Sequence, residues 1–243
     1  MISGRSFAEL CHWVHDPRYP TAARYGLMAR NGDRVFINGD YVADFVQRTQ
    51  RILRMPRVLP KKHLFVVHNS DEPFDQAKLN LLLPHAHHIF AVNTSVSHPQ
   101  LSTIPLGFAD KQLDWASSFR PSGGPRDILA YVNFLPGTNA IKRNQCLEAI
   151  ANDPRITLRS NLTQDEYRAD LCRSEFVLCP EGTGADTHRF YEALMCGATP
   201  VVLRNSLSSF YSRYPVCIVN AWTDPYTHPP SKSVDFQAAA YIR

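Results

Sequence analysis

Residues 176–203, FVLCPEGTGADTHRFYEALMCGATPVVL, read as a buried strand, a glycine-containing turn, a helix and a second buried strand. Phe176 to Cys179 is short and wholly apolar, and Pro180 to Gly184 cannot continue a strand. Asp186 or Thr187 offers an N-cap for a helix that runs to Gly197, a residue type that commonly ends helices. Thr199 to Leu203 then restarts an apolar, β-branched run of the kind that parallel sheets bury on both faces. In such a unit the loop after the first strand and the first helical turn present backbone N–H groups and the positive end of the helix dipole, which suits a phosphate or diphosphate. His188, Arg189 and Glu192 lie three or four residues apart and share one helix face. A nucleoside diphosphate needs such a face: cations near the phosphates and a carboxylate to accept from ribose hydroxyls. Spacing alone leaves an ordinary crossover with an exposed Arg–Glu pair equally open. The dinucleotide fingerprint would need Gly where Thr187 stands, and no GxxxxGK run occurs.

Outward from this segment the chain alternates strands and helices. Arg34–Asn38 and His63–His68 read as strands, with a helix over Tyr41–Arg54 whose apolar positions are Val42, Phe45, Val46, Ile52 and Leu53. A short helix over Asp75–Leu83 and strands at His88–Val92 and Ser102–Leu106 follow. ASSFRPSGGPRD, Ala116 to Asp127, is the one stretch rich in Ser, Gly and Pro between periodic segments, so the domain boundary is placed there. A second series comprises strand Ile128–Val132, helix Ile141–Ala151, strand Ile156–Arg159 and helix Thr163–Cys172. The expectation is two α/β domains, 1–118 and 119–243, each an open and mostly parallel sheet, with ligands in a cleft at the carboxyl ends of the strands.

Composition fits a globular protein, with 44% hydrophobic and 20% charged residues. A net charge of +4 is too mild to argue for nucleic acid, although it favours an anionic ligand. No apolar stretch of signal-peptide length opens the chain, and no run of about 18 apolar residues occurs. A cytoplasmic or otherwise soluble protein is expected, with its six scattered cysteines reduced and the sequons at Asn93 and Asn161 chance matches.

A second phosphate-binding candidate is PGTNAIKRNQ, Pro136 to Gln145, which puts Lys142 and Arg143 at the start of a helix, against its dipole. Functional placement would explain that cost, and two solvated side chains would explain it as well. HNSDEPFD, His68 to Asp75, is a polar cluster ending an apolar strand. Asp71 and Glu72, with His68 third, are its candidates for a general base, the alternative being a capped turn. HAHH, His85 to His88, lacks partners at zinc-ligand spacing and reads as packing and surface residues, so no metal is expected. A GxSxG elbow, the HxE with PCxxC deaminase signature and Asp-x-Asp are all missing.

The block Asp165 to Leu203 resembles the nucleotide-sugar-binding segment of exostosin-like glycosyltransferases. The matching positions are Tyr167, Ser174, Phe176, Leu178, Pro180, Gly182, Gly184, Arg189 and Glu192. YPVCIVNAW, Tyr214 to Trp222, and IPLGF, Ile104 to Phe108, are similar to flanking family segments. The resemblance is dense over about the last half of the chain and thin before residue 60, and because family members usually continue further, a compact or shortened C-terminus is expected. It implies a GT-B fold, two Rossmann-like domains facing each other across a cleft, and an inverting transfer without metal or other cofactor. The donor would be a UDP-sugar, with xylose, glucuronate, galactose and GlcNAc as family options, and the acceptor a glycan hydroxyl. By this resemblance Arg143, more than Lys142, meets the diphosphate together with His188 and Arg189, N–H groups around Thr183 and Gly184 assist, and Glu192 accepts from the ribose. Replacing Glu192 by Ala should then weaken donor binding with little loss of stability. The alternatives are a nucleotide- or carbohydrate-binding module that has lost its chemistry and, less favoured, a phosphate-handling α/β hydrolase or epimerase.

Overall fold

The computed structural model describes residues 1–19, 28–53, 61–120 and 123–242, with backbone alone for 51–53. Arg54 of the expected first long helix and residues 121–122 of the expected linker lie outside the described residues, and the side chains of Ile52 and Leu53 are likewise not described. The chain divides into one unit of Met1–Asp110 with Phe236–Arg243 and a second of Lys111–Asp235. The division falls before, not within, the Ser/Gly/Pro stretch.

In the first unit α1 (Gly4–Glu9) and β1 (Trp13–His15) precede β2 (Arg34–Asn38), α2 (Val42–Leu53), β3 (His63–His68), α3 (Gln76–Leu82), β4 (Ala86–Ala91) and β5 (Leu101–Thr103). The strands are all parallel and stand in the order β1-β2-β3-β4-β5. Alternation along the strands fills both faces: Val35, Ile37, Phe65 and Val67 pack with Phe45 and Val46 of α2 and Leu79 of α3. Phe36, Val66 and Phe90 point the other way, against Ile2, Phe7, Val14, Ala238 and Ile242. That second layer explains why the last residues join this unit although the sequence assigns them to 119–243: Ala238 and Ile242 belong to its core, and the Phe236 ring lies tilted with its centre 5.7 Å from that of Phe108. The strand expected at Ser102–Leu106 is the shorter β5, whose last ladder bond runs from the Ile104 N–H to Ala91 O and which cannot continue because Pro105 has no N–H to pair. α1 and β1 escape sequence reading because six- and three-residue elements carry almost no periodicity.

In the second unit α4 (Leu113–Ser118) leads to β6 (Ile128–Val132), α5 (Ala140–Ile150), β7 (Ile156–Leu158), α6 (Gln164–Arg173) and β8 (Ser174–Leu178). α7 (His188–Met195), β9 (Thr199–Leu203), α8 (Ser208–Tyr211) and β10 (Cys217–Val219) follow. These strands are also parallel, in the order β10-β9-β8-β6-β7. From β6 the chain crosses to β7 on one side, returns to β8 on the other side of β6, and continues to β9 and β10 away from it. The order therefore reverses between β6 and β8, the place where open α/β sheets form a crevice beyond their strand ends. Thr163 and Glu166 form a capping box that starts α6, which runs straight into β8. α7 stops at Gly197, which takes φ +74°, and Arg126 donates to the last carbonyl of that turn, Cys196 O, at 2.8 Å. One face of this sheet buries Val132, Cys146, Phe176, Leu178, Val201 and Trp222 together. All six cysteines are free thiols.

Candidate functional site

The loops after β6 and β8 lie side by side and are stitched together. Asn139 donates its side-chain amide to Gly182 O at 2.8 Å, and Thr183 Oγ1 donates to Thr138 O at 3.2 Å. Asn139 also starts α5, its Oδ1 accepting from the Lys142 N–H. The two cations at that helix start then diverge. Lys142 is exposed and its ammonium pairs with Glu181, whose other oxygen accepts from Asn205 at 2.9 Å. Arg143 is buried, reaching back to donate from Nε to Glu181 O at 3.1 Å and from a terminal nitrogen to Leu135 O at 2.6 Å.

Arg143 meets Arg189 over a third residue. The guanidinium carbons of Arg143 and Arg189 lie 5.4 and 5.7 Å from the centre of the Phe134 ring. Neither arginine has a carboxylate within ion-pair distance among the described residues, and the buried Nε of Arg189 has no hydrogen-bond partner. Burial first and the charge of Arg189 second hold Arg143 below the ordinary guanidinium range. It stays protonated at neutral pH, because guanidinium holds its proton far above that pH. Two guanidiniums thus share one aromatic ring at the reversal point of the sheet, and Arg189 is raised above its ordinary range, against the effect of burial, by Tyr167, Cys179 and Glu192.

The remaining loop residues hold the frame. Asp186 is buried, its Oδ1 accepting from the Thr187 N–H at 2.9 Å and from Tyr211 at 3.1 Å, its Oδ2 from Tyr191 at 2.5 Å. Burial first and the Asp186 charge second push both tyrosines well above the usual phenol range. The N-cap of α7 is Thr187, whose side chain makes no cap bond, so Asp186 acts as a loop hub and not as the cap. His188 is half-buried in the first turn, Thr183 is exposed and Gly184 is buried.

Glu192 departs from expectation. It is 5% exposed, with Oε1 accepting from Gln112 at 2.6 Å and Oε2 from Tyr167 at 2.6 Å. Both oxygens are occupied by protein donors, so the carboxylate holds α4, α6 and α7 in register instead of standing open. Burial first and the Glu192 charge second raise Tyr167 well above its ordinary value. Residues 134–218 match the family model of the RXYLT1 C-terminal domain. This is an exostosin-like xylosyltransferase family, and the match supports a glycosyltransferase-like function. It spans Phe134, Arg143, Tyr167, Arg189 and Glu192, and leaves out Gln112. No curated protein matches the chain.

The acceptor-side candidates belong to the first unit. His68 is 1% exposed; its Nδ1 accepts from the Asn69 N–H at 2.8 Å and its Nε2 faces Pro105 O at 3.3 Å. Both ring nitrogens are engaged, Nδ1 also lying 3.0 Å from Asn69 Oδ1, and the ring packs between Phe7 and Phe36. A base must offer a lone pair, so His68 reads as a core residue and not as a proton acceptor. Asp71 and Glu72 are exposed in the turn after β3, where the Glu72 N–H donates to Ser70 Oγ at 3.1 Å. Among the described residues no group of three His, Cys, Asp or Glu side chains is placed to hold a metal ion, the histidines at 85, 87 and 88 included. Among the same residues no helix is long and apolar enough to cross a membrane.

Sequence reading missed Phe134 and Gln112. Phe134 stands directly beyond β6 in NFLPG, an aromatic among turn residues, which is a visible signal. Gln112 lies eighty residues from Glu192 in sequence, and nothing local marks it.

Proposed function

We propose that this chain is an inverting glycosyltransferase of GT-B type that uses a nucleoside diphosphate sugar, UDP-linked, and needs no metal. The observation that carries the reading is the arginine pair on Phe134. A diphosphate between Arg143 and Arg189 would satisfy the orphaned Nε, neutralise the like charges and receive bidentate guanidinium bonds. The α7 N-terminus adds its positive dipole end at the same edge of the sheet. In the transfer, a glycan hydroxyl oxygen attacks the anomeric carbon from the face opposite the diphosphate, and the bond from that carbon to the diphosphate oxygen breaks. The hydroxyl proton passes to a carboxylate, Asp71 or Glu72, and the two guanidiniums hold the charge that builds on the leaving group. Xylose, glucuronate, galactose and GlcNAc are the sugars to try first. Glu192 supports this site by fixing the helix that carries Arg189, with a ribose contact secondary to that.

Calorimetric titration with pyrophosphate and UDP tests the site: both should bind, and Arg143→Ala or Arg189→Ala should each weaken them about tenfold to a hundredfold. A wild-type chain that binds neither at millimolar concentration ends the proposal. A second reading, a nucleotide- or carbohydrate-binding module without chemistry, is favoured by one observation: neither candidate carboxylate has a side-chain hydrogen bond among the described residues to orient it. Binding of several UDP-sugars with no hydrolysis and no transfer to any glycan would select it.

A further inference from the structure

Away from the arginine pair, the second unit holds a cavity of about 460 Å³ between the end of α4 and the last turns of α6. Phe119, Pro125 and Ala169 give it apolar walls, Arg120, Arg168 and Arg173 stand around them, and the half-buried Cys172 lines it. Arg173 pairs with Asp127 at 2.5 Å, and Arg168 lies over the Trp115 ring and reaches Asp165 at 3.4 Å. Arg120 donates to the Ser117 and Phe119 carbonyls and has no carboxylate partner among the described residues, so it leaves the cavity cationic beside a thiol. A second thiol stands behind the first. α6 and α7 are tied by the Tyr167 bond to Glu192 and, further along both helices, by Arg126, which donates to Ser174 O and, at 2.8 Å, to Cys196 O. Cys172 and Cys196 lie by that second tie, and their thiols hydrogen-bond to each other. Side chains so engaged point toward each other, as a disulfide requires. Cys196 is 1% exposed, so a reagent from solvent meets it only through Cys172.

We propose that Cys172 and Cys196 are a redox-active thiol pair, oxidised to a disulfide by an acidic low-molecular-weight disulfide of the glutathione type that enters this cavity. The Cys172 thiol gives its proton to solvent and its sulfur attacks one sulfur of the incoming disulfide; that S–S bond breaks, one glutathione leaves as a thiolate, and Cys172 carries the other. The Cys196 thiol then loses its proton, attacks the Cys172 sulfur and expels the second glutathione. Two protein thiols are oxidised and one small disulfide is reduced to two thiols. Burial first, then the Cys172 sulfur by its charge and its hydrogen bond, push the Cys196 thiol above its ordinary range, which gives Cys172 the first attack and Cys196 the second. The excess guanidinium charge favours a reagent rich in carboxylates. Cys11, the other half-buried cysteine, packs on the core of the first unit, where burial, opposed by Arg34, pushes its thiol up to about 12 and keeps it unreactive. The resulting bond would pin the ends of the helices that carry Tyr167 and Glu192.

The test incubates the folded full chain with glutathione disulfide or with the uncharged bis(2-hydroxyethyl) disulfide, blocks the remaining thiols, and locates each modified cysteine by peptide mass spectrometry over time. The expected product of the wild-type chain is a Cys172–Cys196 bond with the other four cysteines still free. Cys172→Ser should abolish it, and Cys196→Ser should halt at a glutathione adduct on Cys172. Arg120→Gln should slow the glutathione reaction about twofold to fivefold and leave the reaction with the uncharged disulfide unchanged. Should Cys196→Ser fail to fold, the wild-type peptide map decides without it. A Cys172 that stays free on the folded chain, an adduct that forms first on Cys11, or a wild-type chain that stops at the Cys172 adduct overturns the thiol pair. Equal rates for wild type and Arg120→Gln with glutathione disulfide overturn the selection of an acidic reagent.

Discussion

Truncation of Glu192 separates the two accounts of this residue. If the carboxylate stood open for a ribose, Glu192→Ala would leave stability almost untouched. The structure instead gives it two short hydrogen bonds from Gln112 and Tyr167 at 5% exposure. A hydrogen bond to a charged group contributes about 1.5–3 kcal/mol. Tyr167→Phe should therefore cost about 1.5–3 kcal/mol, and Glu192→Ala, which strips both bonds and strands two donors, about 2–4 kcal/mol. Because the Tyr167 bond is absent once Glu192 is gone, the double variant should fall little below Glu192→Ala, giving a coupling energy of about 1.5–3 kcal/mol. Urea unfolding followed by far-UV circular dichroism, with the four proteins compared at equal slope, measures this. A coupling below about 0.5 kcal/mol would falsify the claim that Glu192 is a structural tie.

Four further outcomes follow from named contacts. Gly182→Ala sets a Cβ 3.1 Å from a terminal nitrogen of Arg143, so pyrophosphate affinity by calorimetry should fall about threefold to tenfold with under about 1 kcal/mol lost in stability; unchanged affinity would show that Arg143 is not placed for the anion. Asp71→Asn or Glu72→Gln, whichever removes the base, should lower kcat about 10²- to 10⁴-fold in a donor-transfer assay without moving the unfolding midpoint, and two fully active variants would place the base elsewhere. The hydrogen bonds from Arg155, 2.6 Å at the closest, hold Asp153 below the usual carboxylate range. That stabilisation is present above the unfolded value of about 3.9 and is lost as pH falls through the folded one, so Arg155→Gln should flatten the acid limb of a stability–pH curve; an unaltered limb rejects the pairing. Gly107, at φ +71° with a built Cβ 2.3 Å from Ile2 O, should lose about 3 kcal/mol as Ala, read by thermal melting.

Residues 176–203 by themselves fixed a strand, a turn, a helix and a strand, because apolar runs, a turn of Pro and Gly and a terminal Gly are local signals that short-range sterics enforce. Lys142, Arg143 and Arg189 were visible as cations at the mouths of such loops. What each of them packs against was not, since that depends on β8 lying next to β6 with β7 beyond, a pairing no local pattern encodes. Tertiary structure tied Lys142 to Glu181, turned Arg143 and Arg189 onto one phenylalanine ring, and closed Glu192 between two residues distant in sequence. It likewise drew Ala238 and Ile242 back onto the first sheet, where they join Ile2, Phe7 and Val14 in the core that buries Phe36 and Val66. Local structure follows from neighbours along the chain, whereas the fate of a charge follows from what burial brings beside it.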